Sequence, residues 1–402
     1  MSDQVKLILH IGEGKTGTTS IQQHLFDNRK WLAGLGVLYL TPPAAVNHVC
    51  LAARLGLKVR VSKENLEVMH GECDLLFDQL KLLAESSETK AIVISVEHLF
   101  TANSDVVLSY LSNYFDVNSI HVIAYIRDPV GQYVSRMQQR IKASYLIVPP
   151  HRYARDVFSP VKKWVDQLGL DKVHVKPFSP ASLISSDVLV DFLSQLSSIA
   201  GATLSAPGHE PANVDAARSN SGINVEQMST VQCFRRIVYP DANNILQRRS
   251  SRMVAFFEGL NEKGQLGTKP KMKPDISAAI LANNAPFFDS LATLYPRFTT
   301  IQASLGLSGI DEESAEWNGQ RQTYISIVDL FVDRSAPVLN LYRFLCIPFR
   351  APSKAPRKYM SALAGYLDRC DCSAEVSRYV VQHAEKVVAH SIEKELPQVQ
   401  MF

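Results

Sequence analysis

Four short apolar runs, each leading into a stretch of helical periodicity, restrict this chain more than any other feature. Val5 to Ile11 (VKLILHI), Ala91 to Val96 (AIVISV), Ile120 to Ile126 (IHVIAYI) and the shorter Val173 to Val175 are dominated by aliphatic residues. A strand of a parallel sheet is covered by helices on both faces and is therefore apolar throughout. The segments Thr18 to Lys30, Lys63 to Ser86, Ser104 to Tyr114, Pro129 to Ala143, Arg152 to Leu168 and Ser186 to Ile199 carry helical spacing. Strands alternating with helices predict an α/β fold around a central parallel sheet. In such sheets ligands sit beyond the carboxyl ends of the strands, so chemistry is sought there first.

The pattern changes after Gly201. Gly201 to Gly222 is rich in Ala, Ser, Pro and Asn and reads as a long loop, which in a compact domain is functional or disordered. Helical stretches follow at Val225 to Arg236, Ser251 to Asn261 and Asp275 to Leu294, and Ile310 to Phe402 has little strand signal. The expected organisation is one α/β domain over residues 1–305 and a mostly helical C-terminal extension over 306–402.

Composition bounds the partners. Hydrophobic residues make up 46% and charged residues 20%, enough for a sizeable core. The formal charge of +3 is too small to mark a nucleic-acid binder. Cys50, Cys73, Cys233, Cys346, Cys370 and Cys372 show no repeated zinc-type spacing and read as reduced structural thiols. The N-terminus carries no secretory pattern, and no run approaches the ~20 apolar residues of a membrane span. A cytoplasmic protein is expected.

The first strand runs into Gly12-Glu13-Gly14-Lys15-Thr16-Gly17-Thr18-Thr19-Ser20, which opens a helix. The glycines permit close backbone approach to a ligand. The amides of Gly17, Thr18 and Thr19 would be the free N–H groups of a helix start, which bind anions. Thr18 and Thr19 add hydroxyls, and Lys15 adds a positive charge. The triphosphatase pattern GxxxxGK[ST] requires a lysine directly after the second glycine, but Thr18 follows Gly17, and the lysine precedes that glycine by two residues.

Lys15-Thr16-Gly17-Thr18-Thr19 instead resembles the 5′-phosphosulfate loop of sulfotransferases that use 3′-phosphoadenosine-5′-phosphosulfate (PAPS). The longer string Lys15 to Gln22 (KTGTTSIQ) is similar to that of bacterial carbohydrate sulfotransferases. The resemblance implies a P-loop-like three-layer sandwich, with Gly14, Lys15, Thr16, Gly17, Thr18 and Thr19 binding PAPS and no metal required. It covers roughly residues 5–300.

A second junction, Tyr125-Ile126-Arg127-Asp128-Pro129, ends another apolar run; Asp128 suits an N-cap and Pro129 the first helical position. Arg127 would lie at the strand's carboxyl end. Ser135 lies eight residues on, two turns into the helix, and leans back toward the same crevice. The resemblance implies that Arg127 and Ser135 bind the 3′-phosphate. One bisphosphorylated adenosine would then bridge the two junctions.

Transfer to a hydroxyl needs a base within hydrogen-bond reach of the acceptor. Ser95-Val96-Glu97 ends the middle strand and matches an S-x-E form of the bacterial members, which implies Glu97 as the base, partly buried and held charged by a nearby lysine. His98, adjacent in sequence, should point elsewhere. His48 is the other catalytic candidate, a loop histidine expected to line the acceptor cleft. His10 and His24 read as packing residues. The implied reaction is sulfuryl transfer to a hydroxyl, or an amine, of a glycan or lipid-linked acceptor. Lys15 would stabilise the leaving 5′-phosphate. The alternatives are a nucleotide kinase or triphosphatase on the same cradle, and a PAPS-binding scaffold without activity. Arg218-Ser219-Asn220-Ser221 resembles an element that closes over the nucleotide. Arg343, Arg350, Lys354, Arg357 and Lys358 form a basic stretch that would meet an anionic glycan or the inner membrane face as a peripheral contact.

Overall fold

The computed structural model describes residues 4–59, 61–204, 222–264, 266–299, 325–346, 362–363, 365–370 and 373–393. The expected loop-closing element at 218–221, four of the five basic residues of the 343–358 stretch, and Cys372 lie outside them.

The chain divides into two compact units, and the division is not a single cut near residue 305. One unit comprises Met1–Pro129, Arg155–Val214 and Asn284–Ser308; the other comprises Val130–Ala154, Asp215–Asn283 and Gly309–Phe402. Sequence periodicity reports local structure, and it carries no signal for a chain that leaves a unit and returns to it.

The first unit is built on β1 (Lys6–His10), β2 (Val37–Leu38), β3 (Ala91–Ser95), β4 (Ile120–Arg127) and β5 (Val173–Phe178). They form one sheet in the order β2-β3-β1-β4-β5, and every pairing is parallel. β1 is central, with Lys6 opposite Ala91 on β3 and Leu7 opposite Ile120 on β4. The chain leaves β1 for one edge of the sheet and leaves β4 for the other, which opens a crevice at the carboxyl ends of the central strands.

Strand alternation sends successive residues to opposite faces. Leu7, Leu9, Ile92, Ile94, Val122 and Ala124 enter one core. That core also holds residues of α3 (Val49–Arg54), α4 (Lys63–Ala84), α5 (Ser104–Leu111) and α7 (Phe158–Leu168). Ile8, Val93, Ile123 and Tyr125 enter the other, with residues of α1 (Thr18–Asp27), α2 (Arg29–Gly34) and α8 (Val188–Ala200). This is an α/β sandwich with helices on both faces of a fully parallel sheet. The aliphatic runs are continuous because both faces are dry. β2 gave no comparable signal, since only Val37 and Leu38 pair with the sheet edge.

The second unit is helical in its described part. It contains α6 (Pro129–Arg140) from residue 130 onward, α9 (Val225–Val238), α10 (Arg248–Lys263), most of the first half of α11 (Pro274–Leu294), and helices at Ala336–Leu345 and Ala374–Glu393. α9 starts with a complete capping box in which the Asn224 side chain accepts from the Gln227 N–H and the Gln227 side chain accepts from the Asn224 N–H. Its core includes Met228, Phe234, Phe257, Leu341, Tyr342 and Val380. Arg235, fully buried, donates to the carbonyls of Lys142, Ala143, Ala242 and Ile245 and to the Ser250 hydroxyl.

Among the described residues no helix is long and apolar enough to cross a membrane. Cys50, Cys73, Cys233, Cys346 and Cys370 are free thiols.

Candidate functional site

At the carboxyl end of β1 the chain stays bonded to both neighbouring strands before it turns. The Ile11 N–H donates to Ile123 O (3.1 Å), the Glu13 N–H to Tyr125 O (3.3 Å), and the Val96 N–H to His10 O (3.0 Å). The turn then uses left-handed backbone at Gly12 (φ 23°), at Lys15 (φ 75°) and at Gly17 (φ 79°). A non-glycine residue in that region is uncommon and marks a position held by its surroundings. Lys15 is exposed at the tip of the loop, with Thr19 also exposed.

Gly17 is the N-cap of α1, and no side chain caps that helix. Its first-turn amides therefore have no side-chain acceptor of the usual kind, leaving them available to an anion. Thr18 is 4% exposed, and its hydroxyl has no hydrogen-bond partner. That hydroxyl oxygen lies 2.8 Å from the place a Cβ on Gly12 would occupy, so it faces the start of the turn beside the His10 ring. Thr16 differs from expectation. It is fully buried and its hydroxyl donates to Glu13 O, so it shapes the loop from inside.

β3 brings the next residues. Its last residue, Ser95, is buried and bridges to β1 and α1: its hydroxyl meets His10 Nδ1 (2.8 Å) and accepts from Gln22 Nε2 (3.1 Å). Glu97 opens a short helical turn, Glu97–Thr101. Its Oε2 is 3.7 Å from where a Cβ on Gly14 would stand, which sets the carboxylate against the glycine loop. Glu97 is exposed, and the expected partial burial is corrected: the strand stops at Ser95 and the side chain emerges after it.

Arg127 ends β4. Its Nη1 donates to Lys15 O (3.3 Å), and its guanidinium lies over the Phe178 ring at 5.8 Å. Phe178, at the end of β5, and Val188, the first residue of α8, both stand against Gly17. Lys15 and Arg127 are thus neighbours across the crevice, with Glu97 beside the same loop. Ser135 belongs to the second unit, where it is half-buried on α6.

His48 is a correction. It is fully buried, with its Nε2 donating to Leu40 O (2.6 Å) and its Nδ1 accepting from the Ser95 N–H (3.0 Å). Burial lowers its pKa to about 4, so the ring is neutral. Both nitrogens are committed to main chain, and the residue ties the loop after β2 to the end of β3 instead of lining a cleft. His10 is neutral for the same reason, its pKa lowered to about 3, and it packs against Phe192 as a packing residue should.

Two charged residues of the site carry no signal in the sequence. Glu13 (3% exposed) forms a buried ion pair with Arg155 (8% exposed). Glu13 occupies a position that the glycine spacing leaves unspecified, and Arg155 lies in a segment whose spacing suggests helix but which carries no regular structure before α7. No spacing rule links two residues so distant along the chain.

No family model, curated protein or solved structure matches the chain. Among the described residues no group of three or more His, Cys, Asp or Glu side chains is placed to hold a metal ion.

Proposed function

We propose that this chain is a PAPS-dependent sulfotransferase on a P-loop-like fold, acting on a hydroxyl (or amine) of a glycan or lipid-linked acceptor. The observation that carries the reading is the anion cradle at the β1–α1 junction. It has an uncapped helix start, a buried unpartnered Thr18 hydroxyl aimed into the turn, Lys15 at its tip, and the Glu97 carboxylate against Gly14. The order of lysine and glycines further supports a phosphosulfate over a triphosphate.

In this reading the α1 amides, Thr18 and Thr19 hold the 5′-phosphosulfate, while Arg127 holds the 3′-phosphate. The acceptor oxygen attacks sulfur in line as the bond from sulfur to the bridging phosphate oxygen breaks. Glu97 takes the acceptor proton. The electron pair of the broken bond goes to the 5′-phosphate of 3′,5′-ADP, where Lys15 and the loop amides meet the growing charge. Positioning and preorganised charge supply most of such catalysis.

The test is a thermal-shift comparison of 3′,5′-ADP with ATP plus magnesium. Stabilisation by 3′,5′-ADP is the expected result. Stabilisation by ATP and magnesium alone would instead favour the kinase or triphosphatase reading.

A further inference from the structure

Glu13 and Arg155 hold Arg127 by both its backbone N–H and its backbone carbonyl. The Glu13 Oε2 accepts the Arg127 N–H (3.2 Å), and Arg155 Nη2 donates to Arg127 O (2.9 Å). The remaining Glu13 oxygen, Oε1, meets Arg155 Nη1. Arg155 is itself anchored, its N–H donating to Oδ1 of the fully buried Asn284 (2.9 Å) and its guanidinium lying 5.9 Å from the Phe288 ring centre. The Arg127 side chain then closes the circuit by donating to Lys15 O, two residues past Glu13. The backbone of Arg127 and, through its side chain, the carbonyl of Lys15 are therefore tied to one ion pair.

We infer that Glu13 and Arg155 are a positioning pair that locks the Lys15 loop to the end of β4 and cancels the Glu13 charge beside the anion site. The ligand in this inference rests on the reading of the previous subsection. The physical argument has two parts. A carboxylate in the glycine loop is the wrong sign for a phosphate cradle, and a guanidinium in direct contact with it offsets that charge. A carboxylate and a guanidinium also pair in fixed fork geometry, so the pair transmits position as well as charge. The two cations of the site are set in register by a pair that adds no net charge.

Three variants test this: Arg155→Met, the double variant Glu13→Gln/Arg155→Met, and Arg155→Lys. Arg155→Lys keeps the charge and loses the fork, so it should still speed exchange in the loop while losing less binding than Arg155→Met, and it supplies the exchange readout should Arg155→Met not fold. The first readout is amide exchange at residues 14–19 and 127 in ligand-free protein. Arg155→Met should speed it about tenfold or more while β1 stays protected. The second is calorimetric binding of 3′,5′-ADP. Arg155→Met should weaken it at least about tenfold, through lost alignment and an uncompensated carboxylate. Adding Glu13→Gln should restore a good part of that loss. A merely structural role predicts a double variant no better than Arg155→Met, and that result overturns the inference, as does unchanged exchange in the loop. If the unaltered protein fails to bind 3′,5′-ADP, the sulfotransferase reading falls while the exchange readout still judges the pair.

Discussion

Glu97 is exposed and stands at the start of a turn, so replacing it should change chemistry and leave stability nearly untouched. Exposed substitutions away from caps and cores cost within about 0.5 kcal/mol, whereas removing a general base lowers turnover by roughly 10²–10⁴. If the proposed sulfuryl transfer holds, Glu97→Gln should melt with the unaltered protein and lose that much turnover with PAPS. Unchanged turnover takes Glu97 out of the mechanism. His10 and His48 behave oppositely. Burial holds both neutral, with folded pKa values of about 3 and about 4 against an ordinary 6.5. The unfolded chain takes up protons below 6.5 and the folded chain does not, so their contribution is intact above that value and is lost as pH falls toward the folded values. Between pH 8 and pH 5 each should cost about 2 kcal/mol. Urea unfolding at the two pH values measures it, and a total loss under about 1 kcal/mol contradicts the burial argument. Sequence alone placed Lys15, Glu97 and Arg127 at strand ends, because each follows an aliphatic run. It could not tell an imidazole bonded twice to main chain from one facing a cleft, which is why His48 was misread.

At the scale of elements, the loop between β1 and α1 is fixed by space as much as by backbone. A Cβ on Gly17 would stand 2.6 Å from Val188 Cγ1, at a φ of 79° that disfavours side chains. Gly17→Ala should therefore lose about 1–2 kcal/mol for the left-handed backbone alone and more for the overlap with Val188. It should also weaken 3′,5′-ADP binding. Adding Val188→Ala should recover the overlap portion of the stability and leave the backbone portion; denaturant unfolding of the single and double variants separates the two. Most strands and helices of this unit were legible because their periodicity is set locally. β2 was not, since a two-residue strand presents no period, and the helix expected from Arg152 begins only at Phe158, where α7 first enters the core.

For the whole molecule, the helical unit depends on a buried cation with no carboxylate partner among the described ion pairs. Arg235 serves four carbonyls and one hydroxyl, and burial lowers its pKa. Its removal strands acceptors that each cost about 1–3 kcal/mol when unsatisfied. Arg235→Met should destabilise this unit by at least about 3 kcal/mol. Amide exchange across α9 and α10 reports it, and protection unchanged there would contradict the prediction. The division of the chain into units was the least legible property of all, because it depends on contacts between distant segments, such as Gln232 with Tyr145 and Ile325, 87 and 93 residues away.

That division bears on how the protein can be shortened. Tyr342 donates to Leu266 O (2.7 Å) and accepts from Gln227 Nε2 (3.0 Å), and the Ser335 N–H donates to Oε1 of the buried Glu226 (2.6 Å). A polypeptide stopped at residue 305 would keep Gln227, Glu226 and Phe257 but lose Ser335, Leu341, Tyr342 and Val380, which pack or bond with them. Such a fragment should expose a greasy, polar-studded wound and bind a hydrophobic dye or precipitate, whereas cleanly soluble, dye-negative material would mean that the last hundred residues are dispensable after all.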